Sequence, residues 1–176
     1  LLKLQSRVVQ DPMTLQVLQE SQNRLRSMAL IHERLYQSEN LAQIDFADYI
    51  QSLTRYLIRS YRSTGPVAVG FHLEPISLSI ERAVPCGLIV NELVSNALKY
   101  AFPDGRPGKV EVGLARVNGD LRLSVSDDGV GLPEDLDVDA LDSLGLQLVR
   151  MLAGQLGGEL QIDTRPGTAF EISFAA

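Results

Sequence analysis

The chain reads as an α+β protein: a two-layer α/β sandwich, a mixed sheet covered by helices, preceded by a helical hairpin segment. Three observations predict this. Apolar residues in the first 60 or so positions recur at the steps of three and four that a buried helix face requires. From Val67 onward, stretches alternating at period two appear, interleaved with helical ones. Turn signals fall between the two regimes, at Ser63-Thr64-Gly65-Pro66. The expected division is therefore 1–62 for the helical region and 63–176 for the sandwich, with no internal repeat.

Taken in order, Leu1 to about Gln10 reads as a helical stub, and Asp11-Pro12 stops it and starts another helix. Asp11 is a natural cap, and Pro12 suits the first helical position, where its missing N–H costs nothing. The second helix is expected from Met13 to Gln37. Leu18, Ser21, Leu25, Met28, His32 and Leu35 form a heptad seam of the kind found in hairpins and dimeric bundles. A third helix, Phe46 to Tyr61, carries Tyr49, Ile50, Leu53, Tyr56 and Leu57 on one face. Beyond it come a strand at Val67–Leu73 and a long helix from Ile80 to Ala101, ended by Phe102-Pro103-Asp104-Gly105. A hairpin of Lys109–Arg116 and Asp120–Ser126 turns at Val117-Asn118-Gly119. A polar loop spans Asp127 to about Asp142. A helix at Leu144–Leu156 stops at Gly157-Gly158, and strands at Glu159–Thr164 and Ala169–Phe174 close the chain.

Composition excludes several classes of function. Among 176 residues the net charge is −6 and the Lys and Arg residues are scattered, so no basic stripe suits nucleic acid. The longest apolar stretch, around Ala83 to Val90, is far short of the roughly 20 residues that span a bilayer. The single cysteine, Cys86, lies among apolar residues and reads as a core side chain; a disulfide framework within one chain is impossible. Leu1-Leu2-Lys3-Leu4 carries neither an initiator Met nor a cleavage pattern and is expected to be the cut end of a helix.

Four segments bear on chemistry. Glu92, Asn96 and Lys99 stand at i, i+4 and i+7 and share one helix face. A carboxylate, an amide and an ammonium so aligned suit a nucleotide phosphate site. The Asn oxygen can ligate Mg²⁺, Lys99 can offset phosphate charge, and Glu92 can take a proton or orient a nucleophile. A solvated helix face with a Glu–Lys pattern would look the same. Asp127-Asp128-Gly129-Val130-Gly131 follows a strand, where a carboxylate can accept a hydrogen bond from an exocyclic amine and glycines allow close approach; a plain turn would also fit. Ser143-Leu144-Gly145-Leu146 opens a helix whose free N–H groups can meet a phosphate, or is simply a capped helix. Pro166-Gly167-Thr168 alone is a turn.

In this order and spacing, the four segments resemble the ATP-binding fold shared by DNA gyrase, a heat-shock chaperone, histidine kinases and MutL. The resemblance implies ATP and Mg²⁺ as cofactors. It makes Asn91–Tyr100 the N-box, with Asn96 the Mg²⁺ ligand and Glu92 the candidate base. Asp127–Gly131 becomes the first glycine box, with Asp127 on the adenine amine beside Gly129 and Gly131. Gly145 and Leu146 fall in the second glycine box, and Thr168 in the last. A short lid, about Leu132 to Asp142, is expected to move. Two departures stand out: Ser143 replaces the first glycine of the second box, and Arg165 sits where the last box often has glycine.

Ala29–Tyr36, followed by the N-box helix, resembles one subgroup of sensor histidine kinases, and this resemblance covers nearly the whole chain. It implies an ATP-dependent protein-histidine kinase of a two-component system, a homodimer through the N-terminal helices, and a response-regulator receiver domain as partner. It also implies a cytoplasmic location, with the parent protein free to be membrane-anchored. The subgroup carries its phosphoacceptor in a His-Arg-Val-Lys-Asn-Asn-like stretch on the first hairpin helix. No such stretch occurs here, so the acceptor is expected upstream of Leu1. His32 reads as a packed helix residue rather than an acceptor, and His72 has no assigned role. The alternatives are an anti-sigma-type serine kinase and a nucleotide-binding dimerisation module without catalysis.

Overall fold

The computed structural model describes residues 11–37, 43–61, 66–132, 144–164 and 166–176. The expected stub at 1–10, the lid beyond Leu132, Ser143 and Arg165 lie outside the described residues.

Helix α1 (Pro12–Gln37) starts as the sequence requires. Asp11 Oδ2 accepts from Thr14 N at 2.8 Å and from the Thr14 hydroxyl, tying down a donor the helix itself cannot satisfy. A two-residue strand β1 (Ile44–Asp45) leads into α2 (Phe46–Ser60), where Asp45 caps Asp48 N at 3.0 Å. After β2 (Val67–Leu73), the short strand β3 (Ser77–Leu78) pairs antiparallel with β1. This small ribbon was not expected from sequence: two residues are too few to show a period.

Helix α3 (Ile80–Asn96) is the central helix of the fold and is buried along most of its length from Ala83 to Ser95. The helix expected to run to Ala101 changes character at its end: Ala97–Ala101 forms a π-helical turn, and Pro103–Gly105 a 3₁₀ turn. Strands β4 (Gly108–Val117) and β5 (Asp120–Asp127) form the expected hairpin, with Asn118 and Gly119 both at positive φ. Such a two-residue turn matches the twist of the flanking strands. Helix α4 (Leu144–Gln155), β6 (Glu159–Asp163) and β7 (Thr168–Ala175) complete the chain.

The five-stranded sheet has the order β2-β4-β5-β7-β6, parallel between β2 and β4 and antiparallel elsewhere. Its inward residues include Val112, Leu114, Leu123, Val125, Ile172 and Phe174, alternating with outward polar ones as period two demands. They join α3 and α4 in one core. Helix α2 joins the same core through Phe46, Tyr49, Ile50, Leu53 and Leu57, all fully buried. Each such side chain contributes roughly 1.5–3 kcal/mol. The expected boundary at 62/63 thus falls between two elements whose apolar faces share a core. On α1 the seam residues Leu25 and Met28 are exposed, at 55% and 40%.

Candidate functional site

The N-box residues come from the C-terminal half of α3. Glu92 is only 5% exposed, yet charged, so it needs partners. It has them: Arg24 Nε donates to Oε1 at 2.7 Å, and Arg24 Nη2 donates to Oε2 at 2.9 Å. Asn91 Nδ2 adds a bond to Oε1 at 3.0 Å, while Asn91 Oδ1 is buried without a hydrogen-bond partner among the described residues. The carboxylate therefore sits in a planar guanidinium fork contributed by α1. Sequence reasoning missed Arg24 altogether, since it lies 68 positions away and no local pattern marks it.

Asn96 is half-buried one turn later. Both residues face Gly145 at the start of α4. A methyl group on Gly145 would come 3.1 Å from Glu92 Oε2 and 3.7 Å from Asn96 Nδ2. The bare Cα keeps a cradle open between the N-box and the α4 N-terminus, whose first N–H groups and dipole favour an anion. Leu144 is exposed, while Leu146 is buried and anchors the helix start in the core. Only the backbone of Leu146 is therefore available to a ligand.

Lys99 lies in the π-helical turn, where the extra residue per turn changes the direction of the side chain. Its ammonium is 5.8 Å from the centroid of the Tyr61 ring at the end of α2. The structure thus brings Glu92, Asn96 and Gly145 together and sets Lys99 over Tyr61.

The two adjacent aspartates at the end of β5 have different tasks. Asp128 faces solvent and stitches the hairpin: its Oδ1 accepts from Lys109 N at 2.6 Å and its carbonyl from Arg106 Nη2 at 3.2 Å. Asp127 turns inward. Its Oδ1 accepts from Gly129 N at 2.9 Å, and the Thr168 backbone N–H also donates to this carboxylate. Burial raises the Asp127 carboxyl above the ordinary carboxylate range; the Gly129 and Thr168 bonds oppose that shift, and the charge of Asp128 adds to it. Gly129 and Gly167 are required by contact. A side chain on Gly129 would overlap Ala101, and one on Gly167, at φ +73°, would overlap the Asp127 carbonyl. Gly131, also at φ +73°, lies against the Gly167 carbonyl, so the first and last glycine segments touch. Val130 N donates to the Ala101 carbonyl at 3.0 Å, fastening this loop to the end of the N-box.

Segments far apart in the chain therefore meet: the start of α4 lies against Glu92 and Asn96 of α3, and the loop after β5 lies against Ala101 and Gly167. Among the described residues no group of three His, Cys, Asp or Glu side chains could hold a metal. A single Asn beside an anion cradle fits instead a hard cation that keeps its waters and is shared with phosphate. No helix among the described residues is long and apolar enough to cross a membrane.

Comparison with known proteins gives the family and the fold. Residues 1–61 match a family model described as histidine kinase. Residues 82–176 match one described as histidine kinase-, DNA gyrase B- and HSP90-like ATPase. Blue-light-activated histidine kinase 2 of Erythrobacter litoralis is 37% identical over 142 residues, covering 76% of this chain and 41% of that protein. Sensor histidine kinase PdtaS of Mycobacterium tuberculosis is 32% identical over 162 residues, covering 91% of this chain and 32% of that protein. The chain thus spans less than half the length of these relatives. Among solved structures, the histidine kinase domain of the Erythrobacter litoralis EL346 blue-light-activated kinase superposes with a TM-score of 0.79 at 28% identity, covering 88% of this chain and 74% of that one. Acinetobacter baumannii AdeS, at 19% identity and a TM-score of 0.64 over 92% of this chain and 79% of that one, shares the fold.

Proposed function

Since this chain belongs to the histidine kinases, carrying their ATPase domain and helical region, we propose that it binds Mg·ATP and serves protein-histidine phosphorylation in a two-component system. The observation that carries this reading is the convergence of Glu92, Asn96 and Gly145, together with Asp127 held by the Gly129 and Thr168 N–H groups. In this reading residues 1–62 dimerise and 63–176 bind nucleotide, with α2 packed into the core of the second unit.

Asp127 accepts from the adenine amine, and Gly129 and Gly131 let the backbone come close to the base. Asn96 contributes a ligand oxygen to Mg²⁺, which supplies charge neutralisation at the phosphates. The backbone N–H groups at Gly145 and Leu146 receive the phosphate end, Lys99 adds positive charge, and Thr168 fixes Asp127. Glu92 orients the attacking imidazole or takes its proton. These residues work by positioning and by placing dipoles where charge develops. The partners that follow are a second copy of the chain through the N-terminal helices and a response-regulator receiver domain, in the cytoplasm.

The serine-kinase alternative predicts a different product bond. With γ-labelled ATP and the kinase that carries this chain, the expected label is lost in acid and kept in base, as a phosphoramidate is. An acid-stable label would overturn histidine chemistry in favour of a hydroxyl acceptor.

A further inference from the structure

The last backbone pair of the β4–β5 ladder is Val110 with Asp127. One position further on, Asp128 N still donates to the Lys109 carbonyl at 3.2 Å, but a side chain makes the return bond: Lys109 N donates to Asp128 Oδ1 at 2.6 Å. The carboxylate thus takes the place that a backbone carbonyl holds in a regular antiparallel pair. The Asp128 carbonyl, released from the ladder, accepts instead from Arg106 Nη2 at 3.2 Å. Asp128 is therefore the pivot where the chain leaves the sheet with its backbone polar groups still paired.

Two neighbours fix this pivot. A methyl group on Gly108 would overlap the Phe102 ring and come 2.9 Å from Asp128 Oδ1, so a side chain there would crowd the carboxylate off the Lys109 N–H. On the far side, Val130 N is tied to the Ala101 carbonyl at 3.0 Å. Only Gly129 lies between the two anchors, and its N–H is the donor to Asp127 Oδ1 at 2.9 Å. Holding residues 128 and 130 decides where that N–H points, and with it where the Asp127 carboxylate sits.

We infer that Asp128 is a positioning residue that sets nucleotide selectivity: clamped on Lys109 N, it aims the Gly129 N–H and so fixes the Asp127 oxygen that meets the base. The inference rests on the adenine reading of Asp127 above. A fixed carboxylate accepts from the adenine amine and repels the guanine carbonyl; one that can swing loses part of the first contact and escapes part of the second. Loosening the clamp should therefore weaken ATP more than GTP, whereas a general loss of folding weakens both alike.

The test is calorimetric titration of Mg·ATP and Mg·GTP into the whole 176-residue chain and its variants, with β4–β5 hydrogen exchange as the check on folding. Asp128→Ala, which removes an acceptor of charged character, is expected to weaken ATP about tenfold and to narrow the ATP-over-GTP ratio. Asp128→Glu keeps the charge but misplaces the oxygen, and should narrow the ratio in the same direction. Asp128→Asn keeps the acceptor in place and should lose only about threefold, with most of the preference retained. In an Asp127→Asn background, Asp128→Ala should add little to the change in ratio, because it acts through the missing carboxylate. An unaltered ratio in folded Asp128→Ala and Asp128→Glu would overturn the inference, as would an equal change with and without Asp127. A loss in Asp128→Asn as large as in Asp128→Ala would replace the clamp by a plain effect of charge. If the unaltered chain shows no preference for ATP over GTP, the adenine reading itself fails and the clamp fails with it.

Discussion

Replacing Gly167 by alanine tests the packing that holds Asp127 in place. Gly167 sits at φ +73°, and a methyl group there would lie 2.9 Å from the Asp127 carbonyl carbon and 3.1 Å from Asp128 Cα, overlapping the Asp127 oxygen. Ordinary carbon contacts are about 3.5–4.0 Å, so the last turn and the end of β5 must part by roughly 1 Å. That displacement falls on the Thr168 N–H bond to the Asp127 carboxylate, a bond to a charged group worth about 1.5–3 kcal/mol. Left-handed strain on the new residue adds about 1–2 kcal/mol. The expected loss is therefore about 2.5–5 kcal/mol of stability, together with weakened ATP binding. Gly157 supplies the control. At φ +66° a methyl group there would meet nothing within 4 Å, so Gly157→Ala carries the strain alone, about 1–2 kcal/mol. Urea unfolding of both variants, compared at equal m-values, measures the difference. Equal losses in the two would refute the claim that contact with Asp127 is what requires glycine at 167.

Further outcomes follow from the same geometry. Asp127→Asn should weaken ATP binding and relax the preference for ATP over GTP; indistinguishable binding of ATP and GTP by the unaltered chain would count against the adenine assignment. Because burial raises the Asp127 carboxyl, ATP affinity should start to fall at a pH above the usual Asp midpoint of about 3.9. For stability the sign is reversed: the folded state holds this proton more tightly, so the group favours folding in acid and that contribution is lost as pH rises. Cys86 is fully buried, and burial pushes its thiol up to about 12 despite the nearby Arg82; a thiol reagent at neutral pH should label it only after unfolding, and rapid native labelling would contradict the buried position. The exposed Leu25 and Met28 should drive dimerisation, visible by light scattering over a concentration series; a monomer at high concentration, unchanged by Leu25→Asp, would remove the seam from that role.

What the sequence shows of this molecule follows the reach of its patterns. The i, i+4 spacing of Glu92 and Asn96 and the glycines around Asp127 are local patterns; the structure sets Glu92 and Asn96 against Gly145, and Asp127 against the Gly129 N–H. The hairpin was legible because Asn118-Gly119 lies between alternating strands. The π-helical turn was not, because Ala97–Ala101 has the composition of an ordinary helix end; its effect on Lys99 appears only when Tyr61 is packed beneath the ammonium. The different tasks of Asp127 and Asp128 depend on which carboxylate meets Gly129 and which meets Lys109, and adjacent identical residues hold no sign of that. Arg24 was invisible for a plainer reason. An arginine on a helix reads as a solvated charge until the tertiary fold places a buried carboxylate against it.

The central claim, that this fold holds Mg·ATP through Asn96, is tested most directly by calorimetric titration of ATP into the chain with and without Mg²⁺, repeated on Asn96→Ala. The account predicts Mg²⁺-dependent binding that weakens by well over about 1 kcal/mol when the ligand oxygen is removed from a folded protein. Unchanged Mg·ATP affinity in the folded Asn96→Ala variant would contradict it.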